Sequence, residues 1–217
     1  MLKRTIDYSI IQTEKELKEA SNLVYQEYLR QGYINPETTL EEISVYGRFP
    51  GATVFAAKYE NKIIGTISVI ADSELGLPID DIYKEEVDDL RRLNKKIAQV
   101  SSLAISRTIC KNSKKRLYKE QTNELFIFFP LFKLVFHYAL YKEYDNLCIV
   151  INPKHNYFYT SLFFNDLGEI KFYPALNNAP ALAKSFNLNQ WKNKKFLTRI
   201  MNNIINKGTD YNKIFKE

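Results

Sequence analysis

Glycine is scarce in this chain and missing from its centre. Only 7 of 217 residues are glycine, and none lies between Gly76 and Gly168. Close backbone approach to a pyrophosphate normally needs glycine, so this central stretch contains no glycine-rich phosphate cradle. Cysteine is rarer still. Cys110 and Cys148 are too few for a disulfide framework or a zinc site, and no metal is expected. Both fit a reducing, cytoplasmic setting, where free cysteine behaves as a small buried hydrophobe. The opening MLKRTIDYSI lacks an apolar core long enough for a signal peptide. The most apolar run, FIFFPLFKLVFHYALY, is interrupted by Pro130, Lys133 and His137. It falls short of the ~20 apolar residues a membrane span needs and reads as a buried helix.

What is present is an ordinary globular composition, 45% hydrophobic and 26% charged, in a length that suits one domain, 1–217. Tyrosine and phenylalanine are abundant, at 15 and 14. Tyrosine suits a site that is apolar yet hydrogen-bonding, although AT-rich codon usage explains much of the excess. The net charge of +6 is uneven. Residues 71–90 carry eight acids and one lysine. Residues 184–217 carry eight bases and two acids, a difference of six that equals the whole excess. A third cluster comprises Lys111, Lys114, Lys115, Arg116 and Lys119. Charge clusters of this kind are usually solvated faces. They match no nucleic-acid-binding module, and no nucleic acid is expected as a partner.

Hydrophobic spacing predicts helices over 13–31, 39–46, 80–93, 122–144 and 154–164, with Thr13 capping the first, Gly32 stopping it and Asp80 or Asp81 capping the third. It predicts strands over 53–59, 62–70, 97–105, 147–151, 167–173 and 182–188, the first two joined by a turn at Glu60-Asn61. A final basic amphipathic helix, about 189–206, sets Trp191 and an apolar stripe from Leu197 to Ile205 against Lys192, Lys194, Lys195 and Arg199. It would pack on its own domain or touch a membrane surface. Hairpins and helical crossovers together predict an α/β domain with a mixed sheet. The strands at 97–105 and 147–151, joined through a long helix, should be parallel.

Residues 149–174, IVINPKHNYFYTSLFFNDLGEIKFYP, concentrate the functional signal. A strand stops at Asn152-Pro153 and hands over to an aromatic helix, leaving backbone groups unpaired beside a cleft. His155 and Tyr159, four residues apart, share one helical face.

Four segments, ASNLVYQEYLRQGYI, VFAAKYENKIIGTISVIADSELGLPIDDIY, QVSSLAI and VINPKHNYFYTSLFFNDLGEIKFYP, resemble the GNAT acyltransferase superfamily. The likeness is to the branch of long-chain N-acyl amino acid synthases, relatives of the acyl-homoserine-lactone synthases. It implies a GNAT fold whose mixed central sheet has two splayed parallel strands flanked by helices. The pantetheine arm of an acyl thioester would lie in the gap, held by backbone groups of Ser101, Ser102, Leu103, Ala104 and Ile105, with Asn152 at the end of the opposite strand. No tightly bound cofactor is implied; the donor is an acyl-phosphopantetheine. Coenzyme A-dependent members use a glycine-bearing loop after the first of these strands. Residues 106–117 have none, and Lys111, Lys114, Lys115 and Arg116 there match an acidic acyl carrier protein. A solvated loop reads equally well.

The implied reaction moves a fatty acyl group to the amine of a small acceptor, an amino acid by the family likeness. Alternatives are an acyl-CoA donor, or a non-catalytic module that binds acyl thioester or lipid. Tyr159 stands where the superfamily often places a tyrosine acid, His155 is a candidate base, and Gln99 occupies a position where relatives often carry glutamate. Glutamine cannot accept a proton at neutral pH, which leaves it a positioning role. Core packing accounts equally for Tyr159, and helix capping for His155. Tyr25, Tyr28 and Tyr33 resemble the cover of the acceptor and acyl pocket, and Phe132 is among the phenylalanines available to line a tunnel.

Overall fold

The computed structural model describes residues 6–43, 49, 51–107 and 124–189. The lysine-rich cluster at 111–116 and the basic C-terminal helix expected at about 189–206 fall outside these residues, apart from Asn189. Along the chain run β1 (Asp7–Ile10), α1 (Glu14–Gln31), α2 (Leu40–Ile43), β2 (Ala52–Tyr59), β3 (Lys62–Ala71) and α3 (Asp80–Arg92). They are followed by β4 (Ile97–Ile105), α4 (Glu124–Tyr141), β5 (Asn146–Ile151), α5 (Asn156–Ser161), β6 (Asn165–Asp166), β7 (Lys171–Tyr173) and β8 (Ala179–Asn187).

Local chemistry explains most boundaries. Thr13 accepts the Glu16 N–H at the start of α1, and Gly32 closes the helix in the left-handed region at φ 73°. Glu60 and Asn61 both take positive φ, as a two-residue hairpin turn between β2 and β3 requires. The expected cap of α3 is different. Neither aspartate caps it; Ile79 precedes the helix without a side-chain bond, because the Asp80 carboxylate reaches back to the Leu77 N–H and across to Arg91. The helix expected over 154–164 is a 3-10 turn, Pro153–His155, followed by only six residues of α5. The strand expected over 167–173 is reduced to the three residues of β7, and the two-residue β6 lies just before its expected start. β1 went unread in the sequence: four half-exposed residues offer too little alternation to register.

The strand order is β1-β2-β3-β4-β5-β8-β6, with β7 also on β8. Every pairing is antiparallel except β4 with β5, as the helical crossover through α4 dictates. By length and hydropathy α4 matches a membrane span, but Ile127, Leu131, Leu134, Val135 and Phe136 are buried against the sheet, as in the central helix of a globular core. On the opposite face, α3 buries Tyr83 and Val87 against Ile70, Ile97 and Cys148. Burial pushes the Cys148 thiol up to about 12, which makes it an inert core residue.

Helix α4 crosses the sheet over Gly65. A Cβ there would lie 2.7 Å from Ile127 Cγ2 and 3.1 Å from Leu131 Cδ1. Gly65→Val should therefore overpack the centre of the domain and cost about 1–3 kcal/mol, seen as a lower urea midpoint at unchanged m.

The parallel pair sets up the site. β4 and β5 pair at only three positions, Ile97↔Asn146, Ala98↔Leu147 and Gln99↔Cys148. β4 nevertheless continues to Ile105 beside β3, and β5 to Ile151 beside β8. Ser102 and Leu103 together face Ile67, a bulge in which Ser102 adopts φ 52°. A bulge bends its strand and sharpens its twist. β4 thus follows β3, β5 follows β8, and the two separate into a wedge.

Candidate active site

A cavity of about 630 Å³ fills the wedge, a size typical of small-molecule sites, roughly 300–1,000 Å³. It is lined by β4 from Gln99 to Ile105 and by β5 from Ile149 to Asn152. Side chains reach it from both faces of the sheet. Phe128 and Phe132 of α4 and Phe158 and Tyr159 of α5 contribute an aromatic wall, while Pro78, Asp81 and Tyr173 approach from the α3 side. Helix α1 and the turn after it add Glu27, Tyr28, Arg30 and Tyr33.

Backbone polarity within the wedge follows from the ladder. The Asp72 N–H donates to the Ile97 carbonyl and the Ser106 N–H to the Ile64 carbonyl. Alternation in an antiparallel pair then turns Gln99, Ser101 and Ala104 toward β3. The last parallel rung, Gln99↔Cys148, takes up the Val100 N–H, while the Val100 C=O and the N–H and C=O groups of Leu103 and Ile105 turn to the open side. An extended amide-bearing chain in the wedge would find a strand edge ready to pair.

The expected catalytic residues converge on this cavity. Tyr159 projects from α5 with its ring among Phe158, Phe164, Phe132 and Phe128, at centroid distances of 5.3, 5.9, 6.2 and 6.5 Å. Its hydroxyl has no hydrogen-bond partner among the described residues. Burial, reinforced by Tyr28, pushes the phenol well above its ordinary value, so it remains a protonated donor. His155 is more exposed, at the start of α5. Burial lowers its pKa, and the positive charges of Lys154 and Arg107 lower it further, so the imidazole is neutral at pH 7. Gln99 is buried, and its Oε1 accepts the Ile79 N–H at 2.7 Å. That bond assigns the amide orientation and leaves only the NH₂ group for the cavity, a donor and never a base.

Ser101, Ser102, Leu103, Ala104 and Ile105 all line the cavity, as does Asn152. Asn152 also ends the β5 strand, its Oδ1 accepting the Lys154 N–H at 3.1 Å. Tyr28, Tyr33 and Phe132 line the cavity, and Tyr28 and Tyr33 meet edge to face at 5.7 Å. Tyr25 is placed elsewhere: it is not part of the lining, and its hydroxyl donates to the Pro36 carbonyl.

Two charged groups escaped the sequence reading. Glu27 is a buried carboxylate in the cavity wall. It accepts from Arg30 at 2.6 and 2.8 Å and from the Arg107 N–H at 3.3 Å, joining α1 to the end of β4. Arg107 in turn pairs with Glu124 of α4 at 2.8 Å. The signal for Glu27 was a charge on the Ala20-Val24 stripe of α1. The second group is Lys184, buried on β8 with Leu182 and Phe186 on its own face.

A mixed sheet opened between two parallel strands, with donor groups bared on one edge and an aromatic cavity beside them, defines a GNAT-fold acyltransferase. A family model described as N-acyl amino acid synthase FeeM matches residues 19–187. The chain belongs to this FeeM N-acyl amino acid synthase family. The solved structure of FeeM, an N-acyl amino acid synthase from uncultured soil microbes, is 32% identical, with a TM-score of 0.78, covering 92% of this chain and 100% of FeeM. The fold is shared more distantly with BjaI, described as a CoA-dependent acyl-homoserine lactone synthase, at 11% identity and TM-score 0.62, covering 95% and 92% of the two chains. An N-acetyltransferase from Staphylococcus aureus Mu50 shares it at 16% identity and TM-score 0.55, covering 85% of this chain and 99% of the other. No match is found among curated protein sequences.

Proposed function

We propose that this N-acyltransferase takes a long fatty acyl chain from the phosphopantetheine arm of acyl carrier protein and joins it to the α-amine of an amino acid in the cytoplasm. The observation that carries the reading is the early end of β4–β5 pairing at Gln99↔Cys148. The amides of a pantetheine arm would pair with the bared edge at the Val100 carbonyl and at Leu103 and Ile105. The aromatic wall of Phe128, Phe132 and Phe158 suits the acyl chain, where each buried CH₂ contributes ~0.8 kcal/mol.

In this reading the neutral amine of the acceptor attacks the thioester carbon, its proton passes to neutral His155 or to water, and the C–S bond of the tetrahedral intermediate breaks as that proton is returned to the sulfur, releasing the pantetheine thiol. Tyr159, with its raised pKa, gives up a proton poorly but donates a hydrogen bond well. Its role is to steady the oxyanion or the departing sulfur. The Gln99 NH₂ orients the acceptor or a water. No covalent enzyme intermediate is needed when both substrates are held together.

Carrier protein is favoured over coenzyme A because 106–117 lacks glycine and is rich in lysine. The CoA-dependent description of BjaI favours the second reading, an acyl-CoA donor. The two separate in one assay: matched acyl-carrier-protein and acyl-CoA thioesters, a mixture of amino acids, and mass spectrometry of the products. Carrier-linked donors should give a kcat/KM higher by about tenfold or more, the scale on which charge complementarity raises encounter rates. Equal or better turnover with acyl-CoA would reverse the donor assignment. No acylated amine with either would end the proposal.

A further inference from the structure

Lys184 is charged, almost fully buried and unused by the chemistry above. It lies on β8 opposite Ile149, the first β5 residue beyond the last rung shared with β4. It shares its face of β8 with Leu182 and Phe186, which belong to the same core cluster as Phe164. Its ammonium donates to Asn156 Oδ1 at 2.6 Å, to Thr160 Oγ1 at 3.1 Å and to Asp166 Oδ1. These three acceptors use all three N–H groups of a lysine. The Thr160 hydroxyl also donates to Asn156 Oδ1 at 3.2 Å, closing the cluster.

Asn156 and Thr160 are four residues apart on α5 and each directly follows one of the pair His155 and Tyr159. On a helix, one residue is a rotation of about 100°. The ammonium therefore holds one stripe of α5 while the adjacent stripe faces the cavity. α5 is only six residues long, too short to keep its own geometry in water. Its position comes from what it touches. Stability alone explains such a lysine poorly, because a buried ion pair is often no better than apolar side chains of the same size. What directional bonds from a fixed strand add is a set height and rotation for the helix.

We propose that Lys184 is a positioning residue for acyl transfer, its buried ammonium locking α5 so that the Tyr159 hydroxyl meets the reacting thioester at the mouth of the wedge. The proposal rests on the reading of Tyr159 given above. Lys184→Met keeps length and apolar volume but removes all three bonds. A misplacement of about 1 Å at a reacting centre costs on the order of 10²-fold in rate, so kcat should fall by about that factor.

A double-mutant cycle with Tyr159→Phe distinguishes placement from general damage. Lys184→Met should lower kcat about 10²-fold when Tyr159 is present but less than about threefold in the Tyr159→Phe background, with donor KM little changed in both. Equal losses in the two backgrounds, or none in either, would overturn the proposal. Should Lys184→Met not fold, Asn156→Ala enters the same cycle with the same expected pattern. An independent readout is ¹⁹F NMR of protein carrying 3-fluorotyrosine, with the residue 159 signal assigned by its loss in Tyr159→Phe. Lys184→Met, or Asn156→Ala in its place, should shift or broaden that signal, and an unmoved signal sinks the proposal. A moved signal together with an unimpaired Tyr159→Phe would instead sink the reading of Tyr159, and with it the catalytic half of the proposal, while upholding the placement.

Discussion

Tyr159→Phe should lower kcat by about 10²-fold or more, the range of a lost acid or oxyanion donor, without destabilising the protein. The ring keeps its contacts with Phe128, Phe132, Phe158 and Phe164. The hydroxyl bonds no described residue, so its removal strands no buried partner. A kcat loss at unchanged thermal midpoint and nearly unchanged donor KM is the signature of an interaction made only in the transition state. Full turnover in the variant would leave Tyr159 as a wall of the cavity and nothing more. The pH profile gives a second check. The raised phenol pKa keeps Tyr159 protonated through neutral and mildly alkaline pH, so it produces no alkaline decline there. The lowered pKa of His155 works in the other direction. Its neutral form is present above the ordinary value of about 6.5 and is lost only as pH falls through the depressed value. Any stability it contributes is present above that ordinary value and lost over the same acid range. His155→Ala should therefore change the acid limb of the rate profile and leave the alkaline side alone.

Ile105→Pro should raise the KM of the acyl donor by about tenfold and leave the acceptor KM nearly unchanged. The alternation that turns Ala104 and Ser106 toward β3 turns the Ile105 N–H into the wedge. Proline removes that donor without breaking the β3 ladder, the circumstance in which strands tolerate it. A backbone hydrogen bond to substrate is worth about 0.5–1.5 kcal/mol, up to roughly a factor of ten. Ile105→Ala, which keeps the N–H, separates loss of side-chain packing from loss of the donor. If the two substitutions change donor KM equally, the thioester arm does not pair with β4.

Much of this fold can be read from the chain one segment at a time. Thr13 and Gly32 bound α1 through their own chemistry, Glu60-Asn61 turns a hairpin, and the interval between residues 105 and 146 forces β4 and β5 to lie parallel. His155 and Tyr159 share a helical face because they are four residues apart. The misreadings occur where a side chain answers to something distant. Asp80 looks like a helix cap but is claimed by Arg91, eleven residues on. Gln99 looks like a lost base, yet its oxygen is committed to the Ile79 N–H, twenty residues back. Glu27 and Lys184 were visible as charges on apolar stripes, but a stripe does not name the partner that makes a buried charge tolerable.

The order of the chain determines the local elements, the single parallel pairing and the kinds of side chain at each strand end, because caps, turns and periodicity act over a few residues. Tertiary structure alone decides that β4 and β5 part after three rungs, that the gap reaches both faces of the sheet, and that α5 is held over it from β8. Those outcomes depend on a bulge opposite Ile67, on two strands bound to different neighbours, and on one buried ammonium bonded to residues 18 to 28 positions away in sequence. Contacts at such separations form only when the whole sheet closes, so no window of sequence contains them.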